Sequence, residues 1–367
     1  GQPYNKLGVD FERTSMLPKI GAKAKHNNYY ETEDIKYYNV ATPMTDLFFK
    51  TTFEEGQLLD AMVTFNTSPR FNFSLAYKGF RSLGKYQFNQ ARSSSFRTTL
   101  NYETKNRRYN MRAHIAAQGI ETEENGGLNN KEEQFESGSG EFSDRRRVDV
   151  LFSDVDNKVL GKRYYLEHQY KLVRKTKDSS RLEKTSLAIG HRFNYETRFN
   201  QFGDAAENEF FGTAFLGSIG DRARLKTMNN EFNAQFSNSV LGRLRGSITL
   251  YNYNYYFNSR LITPEQVIEN QLKGEEVILG ANYANRIGGF ELTADVNYKV
   301  SGRLTGNMMK ATAKYRLNEN NMVSATVHSS ARMPDFNFLL YQSDYSNYNW
   351  QNTAIFENER VNGLRFD

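Results

Sequence analysis

The stretch FELTADVNYKVSG, residues 290–302, alternates apolar and polar side chains almost without error. Successive side chains of a β-strand point to opposite faces, so this stretch predicts a strand with one apolar and one charged face. The fold therefore depends on what the apolar face contacts, which is either a protein core or lipid. The apolar set consists of Phe290, Leu292, Ala294, Val296, Tyr298 and Val300.

The same alternation recurs along most of the chain. The segments are about 9 to 15 residues long, whereas a strand that crosses a membrane needs roughly 9–11 residues and a strand of a soluble protein averages about 5–6. Their length favours lipid as the environment of the apolar faces. The segments are 45–53, 58–66, 71–79, 95–103, 108–117, 162–173, 182–196, 226–237, 242–256, 275–286, 290–302, 309–317, 320–330 and 351–361.

Composition agrees with a membrane barrel. Hydrophobic residues make up 38% of the 367-residue chain, which is low for a soluble core, yet aromatic residues make up 14%, which argues against disorder. In a barrel with a wet lumen only every second residue of a strand must be apolar. The net charge of +6 comes from scattered basic residues without a stripe or motif, so nucleic acid is not expected as a partner. The chain has no cysteine, which excludes disulfides and thiolate sites.

Two soluble alternatives explain the pattern less well. A β-sandwich would need helices or a second sheet to cover its apolar faces, and a solenoid would show a short sequence repeat, which is missing. The sequence therefore predicts a transmembrane antiparallel up-and-down β-barrel of about 14 or more strands. Residues 1–44 are assigned to an N-terminal periplasmic segment and 45–367 to the barrel, whose C-terminal end looks incomplete. The best helical candidate is TPEQVIENQLKG, residues 263–274.

Connections between the predicted strands differ in length in a regular way. Short turns at one end and long loops at the other are typical of outer-membrane barrels. This alternation holds only if residues 118–161 form one long extracellular loop, so RVDVLFSDV (147–155) is predicted to lie off the barrel wall despite its strand-like pattern. The predicted periplasmic turns are 104–106, 174–181, 238–241, 287–289 and 318–319. The predicted extracellular loops are 80–94, 197–225, 257–274, 301–306 and 331–350.

Charged residues on the polar phase of the strands are the predicted lining of the lumen. If they pair across strands, their charges cancel. If the basic residues stay unpaired, a positive lumen favours anions. The basic residues are Lys78, Arg97, Arg112, Lys171, Arg192, Arg243, Arg245, Lys299, Lys310, Lys314 and Arg316, and the acidic ones are Asp60, Glu103, Glu167, Glu291 and Asp295. The residues predicted to face lipid are Val63, Leu75, Leu292, Val296 and Ala313.

Catalysis and metal binding are not expected. The five histidines show no paired metal motif: His26, His114, His168, His191 and His328. A barrel hydrolase, the weakest alternative, would place His114 or His168 beside a serine or a carboxylate. The sequence therefore predicts no enzyme activity, no cofactor and no metal.

The first third of the chain resembles a known family. The pieces that carry the resemblance are FNTSPRFNFSLAYKGFRSLGKY and NYETKNRRYNMRAHI, within residues 46–117. They resemble the putative-porin family of Gram-negative outer-membrane β-barrels. The resemblance implies a barrel more firmly than a pore.

Two functions follow as expectations. The first is a porin-like integral protein of the bacterial outer membrane for passive diffusion of small polar solutes, with anions favoured. The alternative is a plugged structural or interaction barrel, a subunit of an outer-membrane secretion or uptake complex. Expected partners are outer-membrane lipids and either other outer-membrane proteins or further copies of the chain. A water-filled axis favours the first function, and a filled one favours the second.

Overall fold

The protein is almost entirely built from β-strands. The computed structural model describes residues 15–23, 26–176, 183–262 and 267–367. Within these ranges fourteen strands form one antiparallel sheet, and four short strands form two small hairpins. The strands of the sheet are β1 (Met44–Thr52), β2 (Gly56–Ser68), β3 (Phe71–Ser82), β4 (Ala91–Glu103), β5 (Tyr109–Glu124), β6 (Val155–Thr176), β7 (Glu183–Asp204), β8 (Ile219–Asn238), β9 (Gly242–Tyr256), β12 (Gln271–Ile287), β13 (Phe290–Ser301), β14 (Gly306–Arg316), β15 (Met322–Arg332) and β18 (Glu359–Phe366). The hairpins are β10 (Leu261–Ile262) with β11 (Val267–Ile268), and β16 (Leu340–Tyr341) with β17 (Trp350–Gln351).

Helices are short and lie in the connections. The described ranges hold one α-helix, α1 (Phe336–Leu339), one π-helix (Glu132–Glu136) and 3-10 helices at Thr32–Asp34, Gly140–Phe142, Arg145–Arg147 and Glu209–Phe211. None of the helices in these ranges has the length and apolar character needed to cross a bilayer.

The sheet is an up-and-down meander, as predicted. Each strand pairs with the strands next to it in sequence, in the order β1-β2-β3-β4-β5-β6-β7-β8-β9-β12-β13-β14-β15-β18. Among the described residues, β1 pairs only with β2 and β18 pairs only with β15, so these two strands form the edges of the sheet.

The two ends of the strands differ in the length of their connections. One end, called here the short-turn end, carries tight turns such as 104–108 and 288–289, and the other, the long-loop end, carries loops such as 125–154 and 333–358. The predicted alternation is confirmed, although the turn predicted at 174–181 falls largely outside the described residues. The strands extend further into the loops than predicted, because the polar residues at their ends still pair with the neighbouring strand. β6 and β7 are each 22 residues long.

The prediction for 147–155 is also confirmed. Only Val155 belongs to a wall strand, where β6 begins, and Val150 makes an isolated bridge to Leu128 within the same loop. Val148 and Phe152 are buried, so this part of the loop packs against other parts of the molecule instead of crossing with the wall.

Two predictions of local structure were wrong. The helix expected at 263–274 is replaced, in its described part, by β11 and the start of β12. Gln271 pairs with Tyr256 of β9, so strand pairing overrides the local helix signal. The last strand was expected at 351–361 and is found at Glu359–Phe366, where it pairs along β15.

The outer face of the sheet is apolar and exposed. Leu187, Phe236 and Leu244 lie opposite one another on β7, β8 and β9 and are 36%, 37% and 53% exposed. Apolar surface of this extent marks contact with a membrane or a partner, and its alternation with polar residues matches the outward band of a membrane barrel.

The inner face is polar except at the long-loop end of β8 and β9, where Tyr251, Tyr253 and Tyr255 belong to a buried apolar cluster. The N-terminal part of the chain crosses this face. We call residues 15–23 and 26–43 the inner segment. At the long-loop end, the Leu17 carbonyl accepts a hydrogen bond from Arg332 Nη1 of β15 (3.3 Å). At the short-turn end, Val40 N donates to Asn66 Oδ1 of β2 (3.3 Å). The segment therefore runs along the inner face from one end of the strands to the other. The division into a periplasmic segment 1–44 and a barrel 45–367 stays a prediction, because these contacts carry no information on sidedness in a membrane.

Candidate functional site at the inner face of the sheet

The pairing registers bring the sixteen predicted lumen charges to one face of the sheet. Residues directly opposite each other in antiparallel strands share a face. Asp60 lies opposite Lys78, Arg112 opposite Glu167, and Asp295 opposite Lys310. Following the registers from strand to strand places the other predicted charges on this inner face as well: Arg97, Lys171, Arg192, Arg243, Arg245, Lys299, Lys314, Arg316, Glu103 and Glu291.

The five predicted lipid-facing residues lie on the other face. Val63 is opposite Leu75, and Leu292 is opposite Ala313. Val296 lies four residues after Leu292 on β13, so it faces the same side of the sheet, and it is 41% exposed. The registers therefore separate the two predicted sets completely.

A buried ion network joins the inner segment to β6 and β7. Arg163 of β6 is 1% exposed, and its Nη2 lies 3.1 Å from Glu196 Oε2 of β7 and 3.3 Å from Glu31 Oε2 of the segment. Tyr29 donates a hydrogen bond to Glu196 Oε1 (2.6 Å), and Arg163 Nη1 donates to the Tyr30 carbonyl (2.9 Å). A charge this deeply buried is stable only because its partners and hydrogen bonds are all supplied, so the network fixes the position of the segment.

A histidine extends this network toward the long-loop end. Arg198 Nη2 of β7 donates to His26 Nδ1 (2.9 Å), and the guanidinium of Arg198 lies 4.1 Å from the centre of the Tyr29 ring. Burial, followed by the positive charges of Arg198 and Lys23, lowers the pKa of His26 to about 3. His26 is therefore neutral at neutral pH, and its Nδ1 is an acceptor.

Tyr30 and Tyr37 of the inner segment are held by further contacts with β4 to β6. Tyr37 Oη lies 2.7 Å from His114 Nδ1, and the His114 ring stacks on Tyr165 at 4.7 Å between ring centres. The guanidinium of Arg97 lies 4.2 Å from the centre of the Tyr30 ring. Gln118 Oε1 accepts a hydrogen bond from Tyr30 N (2.8 Å). These contacts cover the inner face of β4 to β6, and we call Thr99, His114, Gln118 and Arg163, all buried, the buried wall.

A second ion network crosses β6 to β9. Arg192 Nη2 lies 3.1 Å from Glu167 Oε1, and its Nη1 lies 3.2 Å from Glu231 Oε2. Arg245 forms an ion pair with the same Glu231 carboxylate. Asp60 is shared by Lys78 (3.9 Å) and Arg97 (3.7 Å). Cross-strand pairing therefore offsets part of the positive charge of the predicted lumen set.

The inner face of β13 and β14 is different. We call Glu291, Thr293, Asp295, Thr312 and Lys314 the half-exposed wall, since each is partly open to solvent. The registers place these side chains in adjacent rows across the two strands. At the long-loop end, Met16 of the inner segment packs on Ile278 of β12 and Met308 of β14. The half-exposed wall is thus a polar, solvent-accessible surface of the sheet.

Sequence reasoning missed the residues that fix the inner segment. Arg163, Glu196 and Glu231 lie on the polar phase of predicted strands but were not singled out. The one local signal was the run NNYYETEDIKYYNV, residues 27–40, whose tyrosines are unusual for a solvated linker.

The described hydrogen bonds join neither His114 nor His168 to a serine or a carboxylate. The described hydrogen bonds of His114 and His168 go to Tyr37 and to His191 (3.3 Å between His168 Nε2 and His191 Nδ1). In the described ranges no group of three or more His, Asp or Glu residues is placed to hold a metal ion. His168 and His191 lie on the outer face, where His191 stacks on Phe232 at 4.7 Å.

Comparison with known proteins identifies the family. The model of the family described as "putative porin" matches residues 1–367, the entire chain. The chain belongs to this family. Membership of a porin family points to a non-enzymatic channel. A search among proteins of curated function returned no match.

The fold is similar to that of solved outer-membrane receptors. The ferric-catecholate import receptor Fiu from E. coli K12, in its closed form, aligns with a TM-score of 0.56 and 11% sequence identity. The alignment covers 88% of this chain and 55% of the receptor, so the chain spans about half the receptor's length. The open form of the same receptor aligns with a TM-score of 0.44 and 8% identity, over 88% of this chain and 61% of the receptor. Family and fold together support an outer-membrane β-barrel.

Proposed function

We propose that the protein is a porin-like channel, integral to the bacterial outer membrane, through which small polar solutes diffuse passively. The observation that supports this most is the half-exposed wall. Its residues alternate with an apolar outer face, as in barrels that enclose a water-filled path. In this proposal the sixteen inner-face charges line the lumen, and Val63, Leu75, Leu292, Val296 and Ala313 contact lipid.

In this proposal the inner segment determines how much of the lumen is open to solutes. It occupies the inner face of β4 to β7, so solutes pass along the remaining polar surface of β12 to β14. Anions are favoured there, because the predicted lumen residues of these strands comprise four basic side chains against two carboxylates: Lys299, Lys310, Lys314 and Arg316 against Glu291 and Asp295. Charged residues lining a pore set its selectivity.

A second candidate function has its own support. The buried network of Arg163, Glu196 and Glu31 holds the inner segment firmly, which favours a plugged barrel that acts through partners. Such partners are other outer-membrane proteins or further copies of the chain, in addition to the surrounding lipid. The two candidates differ in one measurable property, which is flux through the protein.

Swelling of proteoliposomes tests the choice. Vesicles that contain the full chain are diluted into arabinose or raffinose, and the porin proposal expects swelling that is faster for the smaller sugar. Thr312→Trp adds bulk to the half-exposed wall and is expected to slow the swelling. Ala313→Trp introduces the same side chain one residue further along, on the outer face, and serves as the control. Swelling no faster than that of empty vesicles would contradict the porin proposal and support the plugged barrel.

A further inference from the structure

A cavity of about 470 Å³ lies on the inner face at the long-loop end, apart from the half-exposed wall. Its lining comes from the inner segment, from β5 to β8, and from three loops, 125–154, 205–218 and 333–358. Cavities that bind small organic ligands have volumes of roughly 300–1,000 Å³. This one is therefore large enough for a single small molecule.

Aromatic rings form much of the cavity lining. Phe152, Phe202, Phe211 and Tyr341 line it and come from four different parts of the chain. Phe211 is the centre of the group, with its ring 5.2 Å from that of Phe152 and 5.4 Å from that of Phe202, measured between ring centres. Edge and tilted contacts at these distances are favourable for aromatic rings, and a further flat ring can join them in the same way.

The loop that carries Phe152 is held in place. Phe152 N donates to the Asn125 carbonyl (3.0 Å), which closes the loop onto the end of β5. Gly126 has a φ of +69°, and a Cβ atom there would lie 2.6 Å from the Phe152 ring. Glycine at this position therefore allows the ring to pack directly against the backbone.

The loop that carries Phe211 is held as well. Tyr345 donates a hydrogen bond to Asp204 Oδ2 (2.7 Å) and accepts one from Asn208 N (3.0 Å), which ties loop 333–358 to loop 205–218. Burial and the hydrogen bond to Asp204 raise the pKa of Tyr345 to about 12, so this hydroxyl keeps its proton at neutral pH. The aromatic lining is thus formed before any ligand arrives, which reduces the entropy lost on binding.

The polar groups of the cavity suit an uncharged ligand that carries a hydrogen-bond acceptor. Two amide oxygens of the lining, Asn200 Oδ1 and Asn337 Oδ1, are buried without a described hydrogen-bond partner and can in addition accept a hydrogen bond from a ligand. His26 lines the cavity and is neutral, and its Nδ1 is taken by Arg198, so the proton lies on Nε2, which is a donor. The Glu124 carboxylate accepts from Asn157 (2.9 Å) and Thr122 (3.2 Å). Lys158 is paired with Glu121 (2.5 Å). The two charged residues of the lining thus already have partners within the protein.

We propose that this cavity binds a neutral, planar aromatic compound that carries one carbonyl-type acceptor, with its ring among Phe152, Phe202 and Phe211 and its acceptor directed to His26. The proposal concerns binding at the mouth of the barrel and does not depend on whether solutes cross it.

Fluorine NMR with 4-fluoroacetophenone tests the proposal on the full chain in lipid nanodiscs. Broadening and shift of the fluorine signal report binding, and all variants are measured at equal lipid content so that partition into lipid is the same. Phe211→Ala is expected to weaken binding about tenfold, since one ring of the aromatic group is lost. Phe215→Ala changes an exposed phenylalanine of the same loop that does not line the cavity, and it is expected to leave binding unchanged.

A filled-cavity variant and competing compounds complete the test. Ala223→Phe places a ring in the space while leaving the aromatic residues intact, and circular dichroism checks that the sheet is retained. It is expected to abolish the signal change. Acetophenone is expected to displace the probe, whereas benzoate and cyclohexyl methyl ketone are expected to compete at least about tenfold less well. A signal change that persists in folded Ala223→Phe would overturn the site, and equal competition by benzoate or the cyclohexyl ketone would overturn the ligand class.

Discussion

The buried wall and the half-exposed wall begin from the same sequence pattern and end in different environments. Both are the polar phase of long alternating strands, with an apolar phase on the outer face. On the buried wall the inner segment covers the strands, and Arg163 is 1% exposed and paired with Glu196 and Glu31. On the half-exposed wall, residues such as Asp295 and Lys314 stay partly open to solvent. The comparison shows that the alternation of apolar and polar residues determines which face is polar. Whether that face is exposed to solvent depends on a distant part of the chain, the inner segment.

The largest expected effect is on the buried wall. Arg163→Met removes the cation that Glu196 and Glu31 share. The largely buried Glu196 carboxylate then loses this ion pair, whereas Glu31 keeps Arg198. Removing one partner of a buried pair typically costs about 3–5 kcal/mol. The matched change Lys314→Met on the half-exposed wall should cost about 0–1 kcal/mol, because water screens that site. The measurement is urea unfolding of the protein in lipid vesicles, and equal losses of stability would show that the two walls do not differ.

The next effect contrasts the two faces of one region. Leu292→Arg places a charge on the outer face of β13 and should cost about 2–4 kcal/mol if that face meets the middle of the bilayer. Thr312→Arg on the inner face of β14 should cost much less, because water reaches the half-exposed wall. The same unfolding measurement applies. If both substitutions destabilise the protein equally, the assignment of the outer face to lipid loses its main support.

Acid should loosen the inner segment. Free histidine has a pKa of about 6.5, and burial next to Arg198 and Lys23 lowers that of His26 to about 3. The folded state therefore favours the neutral form, so the stabilisation is complete above about pH 6.5 and is lost as the pH falls toward 3. Because the chain has no cysteine, a spin label at Asn27→Cys reports the mobility of the segment by EPR. Mobility should rise on acidification.

His26→Asn is the control for this effect. Its Oδ1 can accept the Arg198 hydrogen bond in place of Nδ1, and the side chain does not titrate in this range. The spin label should then show a much weaker dependence on pH. The same dependence with and without His26 would assign the change to another group.

The smallest expected effect concerns ion selectivity. The full chain should give a reversal potential in a potassium chloride gradient that indicates preference for chloride. Reversing the charges of Lys310, Lys314 and Arg316 to glutamate should move the potential toward potassium, since charges lining a pore set its selectivity. The same reversal at Lys78 and Arg97 provides a contrast and should move the potential less, because both lie against the Tyr30 ring of the inner segment, away from the half-exposed wall. Cation preference of the unmutated protein would contradict the proposed anion selectivity.

The sequence predicts the strands and the faces well because both depend on local spacing. A period of two places Leu292 and Thr312 on opposite faces whatever lies beyond them. Strand bounds are predicted less well, as at 263–274, because pairing with β9 extends β12 against the local helix signal.

The position of the inner segment could not be predicted in this way. Its hydrogen bonds join residues far apart in sequence, such as Tyr29 with Glu196 and Arg332 with Leu17. The period of apolar and polar residues along a strand carries no information about such contacts. The cavity at the long-loop end escapes prediction for the same reason, since Phe152, Phe211 and Tyr341 come from three separate loops. The sequence predicts only that Phe152, as part of 147–155, lies off the barrel wall.

Single-channel conductance in a planar bilayer tests the central claim most directly. The full chain is compared with a variant that lacks residues 1–43, after circular dichroism has shown that both retain their β-structure. We predict a small, steady conductance for the full chain and a clearly larger one for the variant, because the inner segment covers the buried wall and leaves the half-exposed wall as the path. Equal conductance of the two proteins would contradict this account of a channel narrowed by its own N-terminal segment.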